Sequence, residues 1–323
     1  MPPTVVIAYP GFGDISVESH LLQAAGLEVV HTQTTTTPAA QAAMRQADAV
    51  MVTIQPVSAE MIAGMERCRI ISRVGTGLDA IDIPAAAARG IWVTYVPDYS
   101  IDEVSTHAIT LLLAQARGLA PLLDSTRRGE WDQRPAGVVQ RLSDQTLGVV
   151  GFGRIGQAAA AKGRGLGLRV IAHDDYVPEN IFAAAGVERV DLATLLAESD
   201  YISLHAPLTD ATRRLINART LAQMKPSAYL INTARGPLVD EEALLAAVRG
   251  GQIAGAALDV LATEPPAPDH PLLHEPRILI TPHIAWYSEA AKHDVRVRGA
   301  EEVIRVLQGQ PPRAPVNQVA VTR

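Results

Sequence analysis

Short apolar runs recur along the chain, each broken by a polar or glycine-bearing turn and followed by a stretch with helical spacing. Val5–Tyr9, Leu27–His31 and Ala49–Ile54 read as strands, with helices over Leu21–Ala25 and Pro38–Ala47 between them, and Pro10-Gly11-Phe12-Gly13-Asp14 reads as a structural loop. Two further strands lie within Arg69–Val74 and Gly90–Val96, and Asp82 is placed to cap a helix at Pro84. A long helix follows from Ile101 to about Arg117. The stretch from Leu119 to Gln145 mixes charge, Trp131, proline and glycine with no clear period, and is expected to be an extended dimerisation arm, over about 119–146. Beyond it the rhythm resumes. Strands at Val149-Val150, Leu168–His173, Tyr201–Leu204, Ala228–Asn232, Ala254–Leu258 and Arg277–Thr281 alternate with helices such as Asp191–Glu198, Asn217–Met224 and Asp240–Gly250. Alternation of this kind predicts parallel βα units and an α/β class with doubly wound sheets.

The most informative stretch is Val149-Val150-Gly151-Phe152-Gly153-Arg154-Ile155-Gly156, a strand running into a glycine-rich turn and an alanine-rich helix. A glycine turn after a strand is often only a turn. The chemistry of a dinucleotide grip needs all three glycines, for the sharp turn, the close approach of backbone to a pyrophosphate, and helix–sheet packing. Helix N-terminal N–H groups would then face that pyrophosphate. Asp174 follows Gly156 by 18 positions, at the end of the next strand. An acidic side chain there meets ribose hydroxyls and repels a 2′-phosphate, so NAD is expected and NADP disfavoured.

Length and composition narrow the class. The 323 residues suggest two domains, and a formal net charge of −6 leaves no basic excess for nucleic acid. Cys68 is the single cysteine, and the nine histidines do not cluster at ligand spacing, so neither a disulfide framework nor a metal site is expected. The N-terminus lacks the pattern of a signal peptide, no apolar run reaches membrane-span length, and a cytoplasmic setting without membrane partners is expected.

In an open parallel sheet, ligands sit beyond the carboxyl ends of the strands. Arg235, Glu264 and His283 fall at such ends. An arginine can hold a carboxylate bidentately and polarise a carbonyl, while a histidine backed by a carboxylate can deliver a proton at neutral pH. The set suits reduction of a 2-keto acid by NADH, although three polar residues in separate loops would show the same spacing. Earlier in the chain, Arg73-Val74-Gly75-Thr76-Gly77 forms either a carboxylate receptor of exposed N–H groups beside an arginine or an ordinary βα turn. His107 lies within the long helix and is read as a packing or bridging residue outside the active site.

Several of these pieces, in this order, resemble the D-isomer-specific 2-hydroxyacid dehydrogenases over nearly the whole chain. They are Val74–Asp79, Val150–Gly156, His205-Ala206-Pro207-Leu208-Thr209, Asn232–Gly236, Glu264-Pro265-Pro266 and Thr281-Pro282-His283. The resemblance implies two Rossmann-like domains. One is a flavodoxin-like substrate domain of residues 1–100 plus 288–323, the other an NAD-binding Rossmann domain of residues 101–287. It implies Arg235 as substrate anchor, His283 as acid/base and Glu264 as its partner, with substrate contacts at Arg73, Val74 and Gly75. Cofactor contacts are implied at Gly151, Gly153, Arg154, Ile155, Gly156, Asp174, His205, Pro207, Thr212, Thr233, Ala234 and Asp259. It also implies a homodimer built on the nucleotide domains.

Ala285-Trp286-Tyr287-Ser288-Glu289, with Arg73, looks like the C-terminal-binding-protein branch of that family. Trp286 would then form a flat wall of the substrate pocket, suiting a short 2-keto acid with an apolar or thioether tail. Glyoxylate, hydroxypyruvate and 3-phosphohydroxypyruvate remain open. No regulatory domain is expected after Gln308. The rival reading is an NAD(H)-sensing dimer that docks a peptide, and the full Arg235, Glu264 and His283 set favours the enzyme.

Overall fold

The computed structural model describes residues 1–10 and 12–319, so the reading of Gly11 lies outside the described residues. The chain divides into two compact units, Met1–Tyr99 with Ser288–Arg323, and Ser100–Tyr287.

The first unit carries strands β1 (Thr4–Ala8), β2 (Glu28–Thr32), β3 (Ala49–Val52), β4 (Ile70–Arg73) and β5 (Trp92–Thr94). Its helices are α1 (Ser16–Ala24), α2 (Pro38–Gln46), α3 (Ala59–Ala63) and α4 (Ile83–Ala88). The sheet is parallel in the order β2-β1-β3-β4-β5. Such a sheet is covered on both faces, which is why its strands read as unbroken apolar runs. Val6, Ala8, Val50, Val52 and Ile71 pack on one side. Val5, Ile7, Ala49, Met51 and Ile70 pack on the other, against Val295, Ala300 and Val303 of a long returning helix. Asp82 does cap α4, accepting the Ala85 N–H at 2.9 Å.

The second unit begins with α5 (Ile101–Ala116) and α6 (Leu119–Arg127). Here the expectation needs correction. The first third of the supposed extended arm is helical, and short 3-10 turns follow at Arg134–Ala136 and Leu142–Asp144. Pro121 and the charged residues hid the helix, whose apolar side does not enter a core of the unit: Leu119 and Leu123 are exposed. Gly118, at φ +55°, makes the left-handed corner between α5 and α6, a conformation that favours glycine.

The remaining elements alternate: β6 (Thr146–Val150), α7 (Arg154–Gly165), β7 (Arg169–His173), α8 (Glu179–Ala185), β8 (Glu188–Arg189), α9 (Leu192–Glu198) and β9 (Tyr201–Leu204). Then come α10 (Ala218–Leu221), β10 (Tyr229–Asn232), α11 (Glu241–Arg249), β11 (Gly255–Leu258) and β12 (Ile278–Ile280). The short α8–β8 pair was not legible beforehand. All pairings in this sheet are parallel, in the order β12-β11-β10-β9-β6-β7-β8, so the strand order reverses between β6 and β9. This is the doubly wound Rossmann arrangement, whose ligand crevice lies at that reversal. Leu147 and Val149 pack with Phe152 and Val170 on one face, and Val150 with Ile171 and Leu195 on the other, the period-2 alternation of a strand.

The chain returns to the first unit through α12 (Glu289–Leu307), whose N-cap Ser288 accepts the Ala291 N–H. Among the described residues no helix is long and apolar enough to cross a membrane. Cys68 is buried, and burial pushes its thiol up to about 12.

Candidate active site

The grip sits at the reversal point. Gly151 has φ +90° and a Cβ there would stand 2.4 Å from the Ala206 N, so both the turn and the neighbouring strand end demand glycine. A Cβ on Gly156 would lie 2.1 Å from the Gly151 carbonyl oxygen, so this glycine seats α7 against the turn. Gly153 differs. It is the N-cap of α7, no side chain caps the helix, and a Cβ there would meet nothing within 4 Å. Arg154 and Ile155 form the first turn above that open space. Uncapped helix N–H groups facing open space suit an anion.

Asp174 lies beside the turn. Its Oδ2 accepts the Phe152 N–H at 2.8 Å, and its Oδ1 accepts those of Tyr176 and Val177. Across the reversal, the His205 N–H donates to the Val150 carbonyl, and its Nε2 is 2.9 Å from Ser203 Oγ. Burial lowers the His205 pKa to about 4, so this ring is neutral near pH 7. Thr212 Oγ1 donates to the Pro207 carbonyl at 2.6 Å, folding the loop back on itself. Just after β10, Thr233 Oγ1 is buried and without a hydrogen-bond partner among the described residues. An orphaned hydroxyl of this kind calls for a ligand or water. The uncapped α7, the open space over Gly153 and the Thr233 hydroxyl together fit a dinucleotide.

Arg235 is presented by a turn built on Asn232, which accepts the Ala234 N–H at 3.0 Å and donates to the Arg235 carbonyl at 2.8 Å. Next to it, Gly236 approaches the loop after β11 so closely that a Cβ would be 2.0 Å from the Leu261 carbonyl carbon. That contact brings the arginine turn against the loop carrying Glu264, which enters a cis Glu264-Pro265 bond. Glu264 Oε1 accepts the Leu261 N–H at 2.8 Å, and its Oε2 lies 2.5 Å from His283 Nδ1. Partial burial alone would raise the Glu264 pKa. The hydrogen bond and charge of His283, the Leu261 N–H and the Arg235 charge outweigh it, and the pKa is lowered.

His283 has φ +52°, unusual for a residue other than glycine. Its N–H donates to the Asp259 carbonyl at 2.8 Å. The Asp259 carboxylate accepts the Ile284 N–H at 3.0 Å, the Ala285 N–H at 2.8 Å and the Thr281 hydroxyl at 2.5 Å. Asp259, expected as a cofactor contact, thus anchors the His283 loop. His107, left out of the site by the sequence reading, also reaches this cluster, with Nε2 3.0 Å from Thr281 Oγ1. No local motif signals that contact across 174 positions.

Trp286 meets Tyr287 edge-on, ring centroids 5.7 Å apart. Arg73, Val74 and Gly75 belong to the first unit. There Arg73 wraps its own loop, donating to the Gly77 carbonyl at 2.7 Å and the Val74 carbonyl at 2.6 Å. Gly75, at φ +147°, leaves room for that guanidinium, which a Cβ would meet at 2.4 Å. Val74 is buried.

Residues 109–285 match the family described as D-isomer specific 2-hydroxyacid dehydrogenase, NAD binding domain, and the chain belongs to that family. It is 39% identical over 271 residues to the D-3-phosphoglycerate dehydrogenase of Archaeoglobus fulgidus, covering 84% of this chain and 51% of that protein. The glyoxylate reductase of Thermofilum pendens is 39% identical over 282 residues, covering 85% of this chain and 83% of the relative. Among solved structures, D-lactate dehydrogenase from Aquifex aeolicus, complexed with NAD and lactic acid, superposes with a TM-score of 0.85. That pair is 30% identical, over 95% of this chain and 96% of the other. The chain spans about half the length of the D-3-phosphoglycerate dehydrogenases it matches.

Proposed function

We propose that the chain is an NAD-dependent D-2-hydroxyacid dehydrogenase working as a 2-ketoacid reductase. The observation that carries this reading is the 2.5 Å contact between His283 Nδ1 and Glu264 Oε2. It directs one ring nitrogen at a carboxylate and leaves Nε2 to serve a substrate oxygen. A nicotinamide held there would supply a hydride for the carbonyl carbon. His283, protonated and steadied by Glu264, gives its Nε2 proton to the carbonyl oxygen, so the keto acid gains one hydride and one proton. Arg235 holds the substrate carboxylate and polarises the carbonyl. The first turn of α7, from Gly153 to Gly156, with the Thr233 hydroxyl and Ala234, would hold the pyrophosphate and nicotinamide ends. Asp174 would take the ribose hydroxyls, with His205, Pro207 and Thr212 lining the adenosine side.

Arg73 and Ala285-Trp286-Tyr287 support placement in the C-terminal-binding-protein-like branch, and Trp286 supports a substrate with an apolar or thioether tail. Arg73, Val74 and Gly75 are proposed as further contacts for the substrate. The relatives named for 3-phosphoglycerate, glyoxylate and lactate define the other substrates to try. Oxidation of NADH by a panel of 2-keto acids is the test. At least one is expected to turn over, with NADH preferred to NADPH by more than about tenfold, a difference of about 1.4 kcal/mol. No turnover across the panel, with NADH still bound, would replace this reading by that of a sensor. A preference for NADPH would overturn the role of Asp174.

The working form is inferred to be a homodimer. The segment after α5 carries Trp131 at 96% and Val138 at 87% exposure, beside exposed Leu119 and Leu123. Apolar side chains gathered on one segment are suited to a second copy. Light scattering is expected to give the mass of two chains, and Trp131→Glu is expected to move the population towards one. A monomeric mass for the unaltered protein removes the proposal.

A further inference from the structure

We infer that His107 is a positioning residue for His283, acting through Thr281 and the Asp259 carboxylate. The kinetic part of this inference rests on the proposed reduction, and the geometry stands by itself. His107 comes from α5, a braced helix. Lys162 of α7 holds its start, with Nζ 2.6 Å from Asp102 Oδ1 and 2.7 Å from Ser105 Oγ. Eight residues after His107, on the same helix face, Gln115 Nε2 donates to the Ala256 carbonyl of β11 at 2.6 Å. Between these anchors the imidazole reaches the loop after β12.

Proton counting settles how it does so. The Thr281 hydroxyl has one proton, and its oxygen lies 2.5 Å from Asp259 Oδ1. Two oxygens that close, one of them on a carboxylate, require a proton between them, so Thr281 donates to Asp259. At the 3.0 Å contact with His107, Thr281 can then only accept. His107 therefore carries its proton on Nε2, and a chain of donors runs His107 to Thr281 to Asp259. The same Nε2 lies 3.5 Å from Asp259 Oδ1.

The far end of that chain is the catalytic loop. The Asp259 side chain is 1% exposed, and a carboxylate so buried must be satisfied by donors. Its remaining donors are the N–H groups of Ile284 and Ala285, the two residues after His283. His283 itself donates from its backbone to the Asp259 carbonyl and keeps the left-handed φ of +52°. A conformation of that kind persists only where surrounding contacts over-determine it. His107 fixes the rotation of the Thr281 hydroxyl, which fixes one oxygen of Asp259, whose carboxylate fixes the backbone just after His283. Loosening the first link lets the imidazole drift from its line with Glu264, and a small misplacement of a proton donor lowers the chemical step sharply.

The test compares His107→Leu, which removes the donor, with His107→Gln, whose amide nitrogen can occupy the place of Nε2. In the full chain His107→Leu is expected to lower kcat by about tenfold or more, with KM changed by less than about threefold. NADH affinity should not change, and His107→Gln should recover most of kcat. Thr281→Val and Thr281→Ser form a second pair with the same expected contrast, should His107→Leu fail to fold. Nitrogen-15 histidine spectra supply a readout without substrate. His107 is expected as the Nε2–H tautomer, and the His283 ring signals, assigned by their loss in His283→Ala, should move in His107→Leu and return in His107→Gln. Unchanged kcat in His107→Leu, a loss that His107→Gln does not recover, or an Nδ1–H tautomer overturns the inference. If the unaltered protein reduces no 2-keto acid, the proposed reduction fails, and the spectra still decide: unmoved His283 signals in His107→Leu sink the positioning role.

Discussion

His283→Ala is expected to lower reduction of the preferred 2-keto acid by about a thousandfold, within the ~10²–10⁴ that a positioned general acid contributes. In free energy that is about 4 kcal/mol of transition-state stabilisation. The loss should fall on kcat, because no cofactor or carboxylate contact is assigned to this ring. NADH binding, read by fluorescence, should stay within about twofold, since the α7 turn and Asp174 are separate from the His283 loop. Glu264→Gln provides the contrast. It keeps one oxygen, enough to accept from either the Leu261 N–H or His283 Nδ1 but not from both, and it loses the charge that steadies a protonated ring, so a loss of about ten- to a hundredfold, smaller than that of His283→Ala, is expected. If His283→Ala retains activity within a few-fold of the unaltered protein, the proton comes from elsewhere and the site has been assigned wrongly.

Arg296→Met should cost the first unit about 3–5 kcal/mol of stability, the usual penalty for removing one partner of a buried ion pair. Glu18 is fully buried and accepts from Arg296 Nε at 2.8 Å and from the Tyr9 hydroxyl at 2.6 Å. Arg296 Nη2 also donates to the Asp14 carbonyl and carboxylate, joining α12 to the start of α1. Burial, with the charge of Glu18, holds the Tyr9 phenol well above its ordinary pKa, so Tyr9 remains a neutral donor and cannot replace the cation. With Arg296 gone, a carboxylate is left among Leu22, Tyr9 and Val295 without a counter-charge. The triple replacement Glu18→Leu, Arg296→Met and Tyr9→Phe should recover a large part of the loss, because it removes the stranded charge and the stranded hydroxyl together. Urea unfolding followed by tryptophan fluorescence measures both, and a loss under about 1 kcal/mol for Arg296→Met would show that Glu18 is relieved by other means.

Much of this protein was legible one segment at a time. Gly151, Gly153 and Gly156 announce a turn and a helix start because their backbone demands are local, Asp82 announces the cap it makes, and the helices read from Asp191, Asn217 and Asp240 start there because those side chains cap them. The continuous apolar runs announce buried parallel strands, since both faces of such a sheet are covered. At Leu119–Arg127 the same reading failed, because the apolar stripe of Leu119, Leu122 and Leu123 is short, is interrupted by Pro121 and followed by charged residues, and does not enter a core.

Contacts between distant segments belong to the tertiary structure alone. The approach of Gly236 to Leu261 depends on two strands lying side by side, and it sets the arginine turn against the Glu264 loop. Asp259 falls at a strand end, where the family resemblance implies a cofactor contact, and the fold adds the backbone of the His283 loop around its carboxylate. His107 reads as helix packing, and only the placement of α5 across β11 and the end of β12 carries it to Thr281. Sequence determines what each segment can form and which groups it can offer. Packing decides which of those groups share a proton, because hydrogen bonds act over about 3 Å in space and take no account of separation along the chain.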